Sequence, residues 1–153
     1  MENKKSIDVL NELIVINNDR IEGYETALKE TAETDLKILF SKFIQTSQQC
    51  RHDLVMEVTR LGGTPDAGTR TTGKFFRVWM DVKAALTGKD RKAILDSCEY
   101  GEDVAQETYE KVIENDGEDI SYDQVNMLEA QQQLLKADHD KVKAMRDMAK
   151  ANA

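Results

Sequence analysis

Proline is nearly missing from this chain: Pro65 is the single one among 153 residues. Together with a 40% hydrophobic content, this excludes a disordered polymer and a loop-rich secreted scaffold. Histidine is almost as scarce. His52 and His139 leave little for acid–base catalysis, and no Ser-His-Asp or Cys-His arrangement has supporting spacing. The two cysteines, Cys50 and Cys98, stand far apart without CxxC spacing, so pattern alone supplies neither a zinc site nor a redox pair. There is no run of five basic residues, and the net charge is −8. Phosphate binding needs clustered Lys and Arg, so nucleic acid and anionic lipid are not expected partners. No apolar run approaches the roughly 20 residues of a membrane span. No secretory apolar region follows Met1–Ser6. The expectation is a cytoplasmic protein without membrane insertion. Nor is there a phosphate-binding loop, since Gly62-Gly63 leads into polar coil rather than joining a strand to a helix.

Helical periodicity is abundant. Ile7, Leu10, Leu13, Asn17, Ile21, Tyr24 and Leu28 recur at steps of three and four and predict a first long helix, about residues 4–31. Thr34 is a candidate N-cap for a second, about 35–61, with Leu36, Leu39, Phe43, Ser47, Cys50, Leu54, Val58 and Leu61 inward. Gly62-Gly63 and Pro65 end it. A short helix over about 74–87 carries Phe75, Val78, Trp79, Val82 and Leu86 on its apolar side. Asp90 can cap a third long helix, about 91–115, with the stripe Ile94, Cys98, Glu102, Ala105, Tyr109 and Val112. Ser121-x-x-Gln124 reads as a capping box for the fourth, about 122–149. Its inward residues are read as Val125, Leu128, Gln132, Leu135, His139, Val142 and Met145.

The length suits one domain, residues 1–153. Four helices of about 25 residues would each span roughly 38 Å. Tight joints make the first and second helices antiparallel, and likewise the third and fourth. The connection between these hairpins, about 28 residues, is far longer than a bundle turn needs. It predicts a crossover that makes the second and third helices run the same way. The halves also echo each other. Aligning Tyr24 with Tyr109 pairs Glu22 with Glu107 and Glu25 with Glu110, and sets Asn17 opposite Glu102.

The ending Leu61-Gly-Gly-Thr-Pro65 and the tyrosines at 24 and 109 resemble the bacterioferritin and rubrerythrin members of the ferritin-like superfamily. Three further runs, Asn18-Asp-Arg-Ile-Glu-Gly-Tyr24, Arg77-Val-Trp-Met-Asp81 and Cys98-Glu-Tyr-Gly-Glu-Asp103, resemble more closely a bacterial family of small four-helix bundles of unknown function within it. The resemblance covers nearly the whole chain. It implies an all-α, ferritin-like four-helix bundle whose long crossover carries a short fifth helix. In di-iron members the first and third helices each give a glutamate, and the second and fourth each give Glu-x-x-His. Those positions here are Asn17, Ser47-x-x-Cys50, Glu102 and Lys136-x-x-His139. Only Glu102 and His139 keep the ligand that the pattern has at these six positions. Two divalent ions bring four positive charges, and one inner carboxylate does not balance them.

The expectation is therefore a degenerate di-iron site replaced by a metal-free polar network of Asn17, Arg20, Ser47, Glu102, Gln132 and His139. Arg20, one turn from Asn17, would supply Glu102 with the cation that iron otherwise provides. No cofactor is expected; were a metal held, iron or manganese on Glu102 and His139 is the alternative. The functional reading is a non-catalytic structural or protein-interaction bundle, with a role in bacterial stress response supplied by the resemblance. The alternative is a divergent metal-binding oxidoreductase or iron-handling protein. A small-ligand carrier, with a pocket between the bundle and the short helix, is a third. Related bundles pair through outer faces, so a homo-oligomer (a dimer) or an unknown protein partner is expected. Phe75 and Trp79 are a candidate partner surface.

Overall fold

A computed structural model describes residues 3–69, 80, 81, 84, 91–115 and 117–151. Its long elements are four helices: α1 Asn3–Glu30, α2 Thr34–Arg60, α3 Arg91–Asn115 and α4 Tyr122–Ala151. No strand occurs among the described residues. The short helix expected over about 74–87, with Phe75 and Trp79, falls almost entirely outside them, and so does the Asp90 cap.

Helix ends follow local chemistry. Gly62 adopts a φ of +84°, which costs other residues steric strain and glycine little. The Gly63 amide then donates to the Val58 carbonyl and the Gly62 amide to that of Thr59, closing the last turn of α2. At the start of α4 the expected box forms, with the Gln124 amide donating to Ser121 Oγ at 3.1 Å and the Ser121 amide to Gln124 Oε1 at 2.9 Å. The start of α2 departs from expectation. Thr34 is already helical, and Glu33 takes the cap position without a side-chain cap bond. The Glu33 amide donates instead to Thr31 Oγ1 and the Leu36 amide to Asp35 Oδ1.

α1 packs mainly on α2 and α3 mainly on α4, and the two hairpins meet through α1 against α3 and α2 against α4. Contacts at the bundle ends set the directions. Arg91, opening α3, pairs with Glu33 and Asp35 where α1 gives way to α2. At the other end Ser6 Oγ donates to the Asp119 carbonyl, and Gly63 lies so close to Ile7 that an added Cβ would sit 2.8 Å from its side chain. α2 and α3 therefore run in the same direction. Two asparagines on α1 hold the chain beyond α2 alongside it. Asn11 Nδ2 donates to the Thr64 carbonyl, and Asn18 Nδ2 to those of Asp66 and Gly68.

The core has two apolar clusters. One surrounds Tyr24, Phe40, Phe43, Leu39, Ile94 and Cys98; the other surrounds Leu10, Leu13, Leu54, Val58, Tyr109 and Leu128. Polar side chains are buried at their junction.

The inner face of α4 differs from the sequence reading. Gln124, Leu128, Gln131, Leu135, Asp138 and Val142 are its buried residues near the core, whereas Val125, Gln132 and His139 lie on the shoulder. A helix turns about 100° per residue, so the buried set centres about 40° to one side of Leu128, and the displaced residues Val125, Gln132 and His139 centre about as far to the other. Gln124 draws the register inward, since it completes the capping box and its Nε2 donates to Glu57 Oε2 on α2 at 2.7 Å.

Candidate functional site

Each of the four helices delivers polar groups to the bundle centre, in two layers. The first is built on Arg20, whose side chain is 1% exposed although it carries a full charge. Its Nε donates to Glu102 Oε2 at 3.0 Å and its Nη2 to Glu102 Oε1 at 2.5 Å, a bidentate fork from α1 to α3. Nη1 donates to Ser47 Oγ on α2 at 2.5 Å, and Nη2 also reaches Asp138 Oδ2 on α4 at 3.3 Å. Tyr24 Oη donates to Glu102 Oε1 at 2.8 Å. The guanidinium lies 5.5 Å from the Tyr24 ring centroid and 5.8 Å from that of Phe43, within cation–π range.

The second layer lies toward the start of α1. Asn17 Nδ2 donates to the Leu13 carbonyl and to Tyr109 Oη, both at 2.9 Å. Tyr109 Oη donates to Gln131 Oε1 at 2.8 Å, and Gln131 Nε2 donates to the Cys50 carbonyl at 3.3 Å. The internal echo acquires a geometric meaning here. Tyr24 bonds Glu102 and Tyr109 bonds Asn17, so each motif tyrosine reaches the residue seven positions before the other.

Electrostatics follow from burial. It disfavours the Arg20 charge, but the adjoining Glu102 carboxylate, with help from Asp138, outweighs it and holds the guanidinium above its ordinary range. Burial pushes the Tyr24 and Tyr109 hydroxyls up, so both stay protonated. It raises Cys50 to about 12 and Cys98 as well, which leaves both free thiols neutral and unreactive. Asp138 is raised by burial too, against the pull of Arg20.

That shift predicts a pH effect. A carboxyl whose folded value is raised contributes stability that is complete below its unfolded value, about 4, and is lost as pH climbs through the folded value. Asp138→Asn mimics the protonated acid. It is expected to be more stable than the native chain at pH 7, with the gain disappearing at about pH 4 and below. Urea unfolding of both proteins at the two pH values checks this; a gain that persists in acid would sink it.

Of the residues proposed from sequence, the structure brings Arg20, Ser47 and Glu102 into one contact group and seats Asn17 in the adjoining layer. Two expectations need correction. Gln132 stays on the α4 shoulder, where its carbonyl accepts from Gln106 Nε2 at 3.1 Å, and Gln131 enters the centre instead. His139 is half-buried at the α3–α4 surface. Its Nε2 faces Asp103 Oδ1 at 2.6 Å, and Asp138 takes the inner position. Glu102 and His139, the pair named for a metal, are therefore not brought together. The signal for Gln131 and Asp138 is the seven-residue series Gln124, Gln131, Asp138 beside Leu128, Leu135, Val142. The rival series Val125, Gln132, His139 fits the same spacing, and its apolar first member favoured it.

The architecture defines a helical bundle with an ion cluster sealed in its centre. Residues 5–115 match the family described as Domain of unknown function (DUF2383), and the chain belongs to that family. No curated protein matches it. Among the described residues, no helix is long and apolar enough to cross a membrane.

Proposed function

We propose that this is a non-catalytic, ferritin-like bundle in which an arginine stands where related bundles would place metal, and that it serves as a structural or protein-interaction protein. The observation carrying this reading is the Arg20–Glu102 fork. Both Glu102 oxygens are taken by the guanidinium, one of them also by Tyr24, at side chains each 1% exposed. A di-iron pair does not fit this donor set. Ser47 and Asn17 bring no charge at two of the positions the resemblance implies, and the guanidinium fills the space between Glu102 and Asp138. The neutral thiols and tyrosine hydroxyls of the centre likewise favour scaffold over chemistry.

Two arrangements support the ferritin-like connectivity. α2 ends beside the start of α1, and α3 begins beside the α1–α2 joint at the opposite end of the bundle, and a passage along the bundle is the connection this reading gives between them. The asparagine clamps on Thr64, Asp66 and Gly68 start that passage along α1. A cytoplasmic setting, a role in stress and pairing as a dimer belong to the same reading.

Elemental analysis of protein purified without chelator tests it. The expected result is no stoichiometric iron or manganese. Two iron or manganese ions per chain, retained through gel filtration, would replace this reading with the iron-handling one.

A further inference from the structure

His139, displaced from the bundle centre, stands among acids at the α3–α4 surface. Glu99 and Asp103 lie four residues apart on one face of α3, and His139 meets them from α4. One ligand atom from each residue lies within 4.8 Å of the others. Tetrahedral zinc holds its nitrogen and oxygen ligands at about 2.0–2.2 Å, and the span of this trio suits such a sphere after small side-chain rotations. Asp103 is 48% exposed and has that freedom.

Three features distinguish the trio from a patch of surface acid. Its one nitrogen ligand is already oriented, since His139 Nδ1 faces Asp140 Oδ1 at 3.2 Å and Asp140 is steadied by Lys136 Nζ at 3.0 Å. A carboxylate behind a histidine, turning the other nitrogen outward, is the usual outer support of a metal-bound imidazole. The two carboxylates beside the imidazole match the charge of a divalent ion. Glu99 and His139 are half-buried while Asp103 opens further to solvent, leaving a side from which an ion with bound water can enter. Beside the trio, Arg146 pairs with Glu99 and is a built-in competitor for its carboxylate.

We infer that Glu99, Asp103 and His139 form a surface site for a divalent transition ion of the zinc type, bridging α3 to α4 outside the central ion cluster. Bound metal would join the two helices of the second hairpin, and Arg146 would set how tightly.

Titration of the intact chain with zinc chloride, followed by calorimetry and by NMR of the histidine rings, tests this. The expected result is one zinc per chain at micromolar affinity, with the His139 ring signals shifting and those of His52 unmoved. His139→Ala should weaken binding at least tenfold, Arg146→Gln should tighten it several-fold, and His52→Ala should leave it unchanged. The NMR readout uses the native chain and does not depend on any variant folding. Zinc that shifts His52 alone, or binds the His139→Ala protein as tightly as the native one, overturns the proposal.

Discussion

Arg20→Met is expected to lower the unfolding free energy by about 3–5 kcal/mol, because it strands Glu102 and Asp138 in the core without their cation. For a chain of 153 residues that corresponds to a melting temperature lower by about 6–20 °C. The reason is asymmetry. A satisfied buried ion pair contributes little net stability, since desolvation offsets attraction, but removing one partner leaves the other charge exposed to the full penalty. The second arm of the experiment follows from this. Arg20→Met combined with Glu102→Gln should recover much of the loss, so that the double variant is more stable than the sum of the single effects predicts. Chemical denaturation of the four proteins closes the cycle. Additive effects would mean that the fork is not the interaction holding the centre together.

Phe43→Ala is expected to cost about 3–5 kcal/mol by a different route. Phe43 is fully buried, meets the Tyr24 ring edge-to-face with centroids 5.0 Å apart, and lies under the Arg20 guanidinium. Truncation removes buried apolar surface and an aromatic pair, the latter alone contributing about 0.5–1.5 kcal/mol. It also opens a cavity next to the ion cluster. Phe43→Leu keeps most of the volume and should cost less. Thermal unfolding of the three proteins compares them; an alanine variant within about 1 kcal/mol of the native chain would contradict the packing described.

Some of this architecture can be read from residue spacing. The stripe Ile94, Cys98, Glu102, Ala105, Tyr109, Val112 follows from steps of three and four, and all six are buried in α3. The turn at Gly62 and the capping box at Ser121 are short-range chemistry, decided within six residues. Arg20 beside Glu102 is legible as charge logic, because a buried acid on α3 calls for a cation and Arg20 is one turn from Asn17 on the same helix. The asparagine clamps are not legible. Asn11 and Asn18 resemble ordinary polar residues until the chain beyond α2 lies against them. Tyr24 and Tyr109 read as aromatic core with a polar tip, and only the facing helix names the acceptor at each tip.

The chain by itself determined four long helices, the glycine turn that ends α2 and the capping box that opens α4, because those properties depend on neighbours within a turn or two. Tertiary structure decided which α4 residues enter the bundle centre. The series through Gln131 and Asp138 and the series through Gln132 and His139 have the same spacing and lie about 100° apart on the helix. Only contact with Arg20, Tyr109, Glu57 and the Cys50 carbonyl chooses between them. That choice sends an aspartate inward and leaves the histidine among acids at the surface.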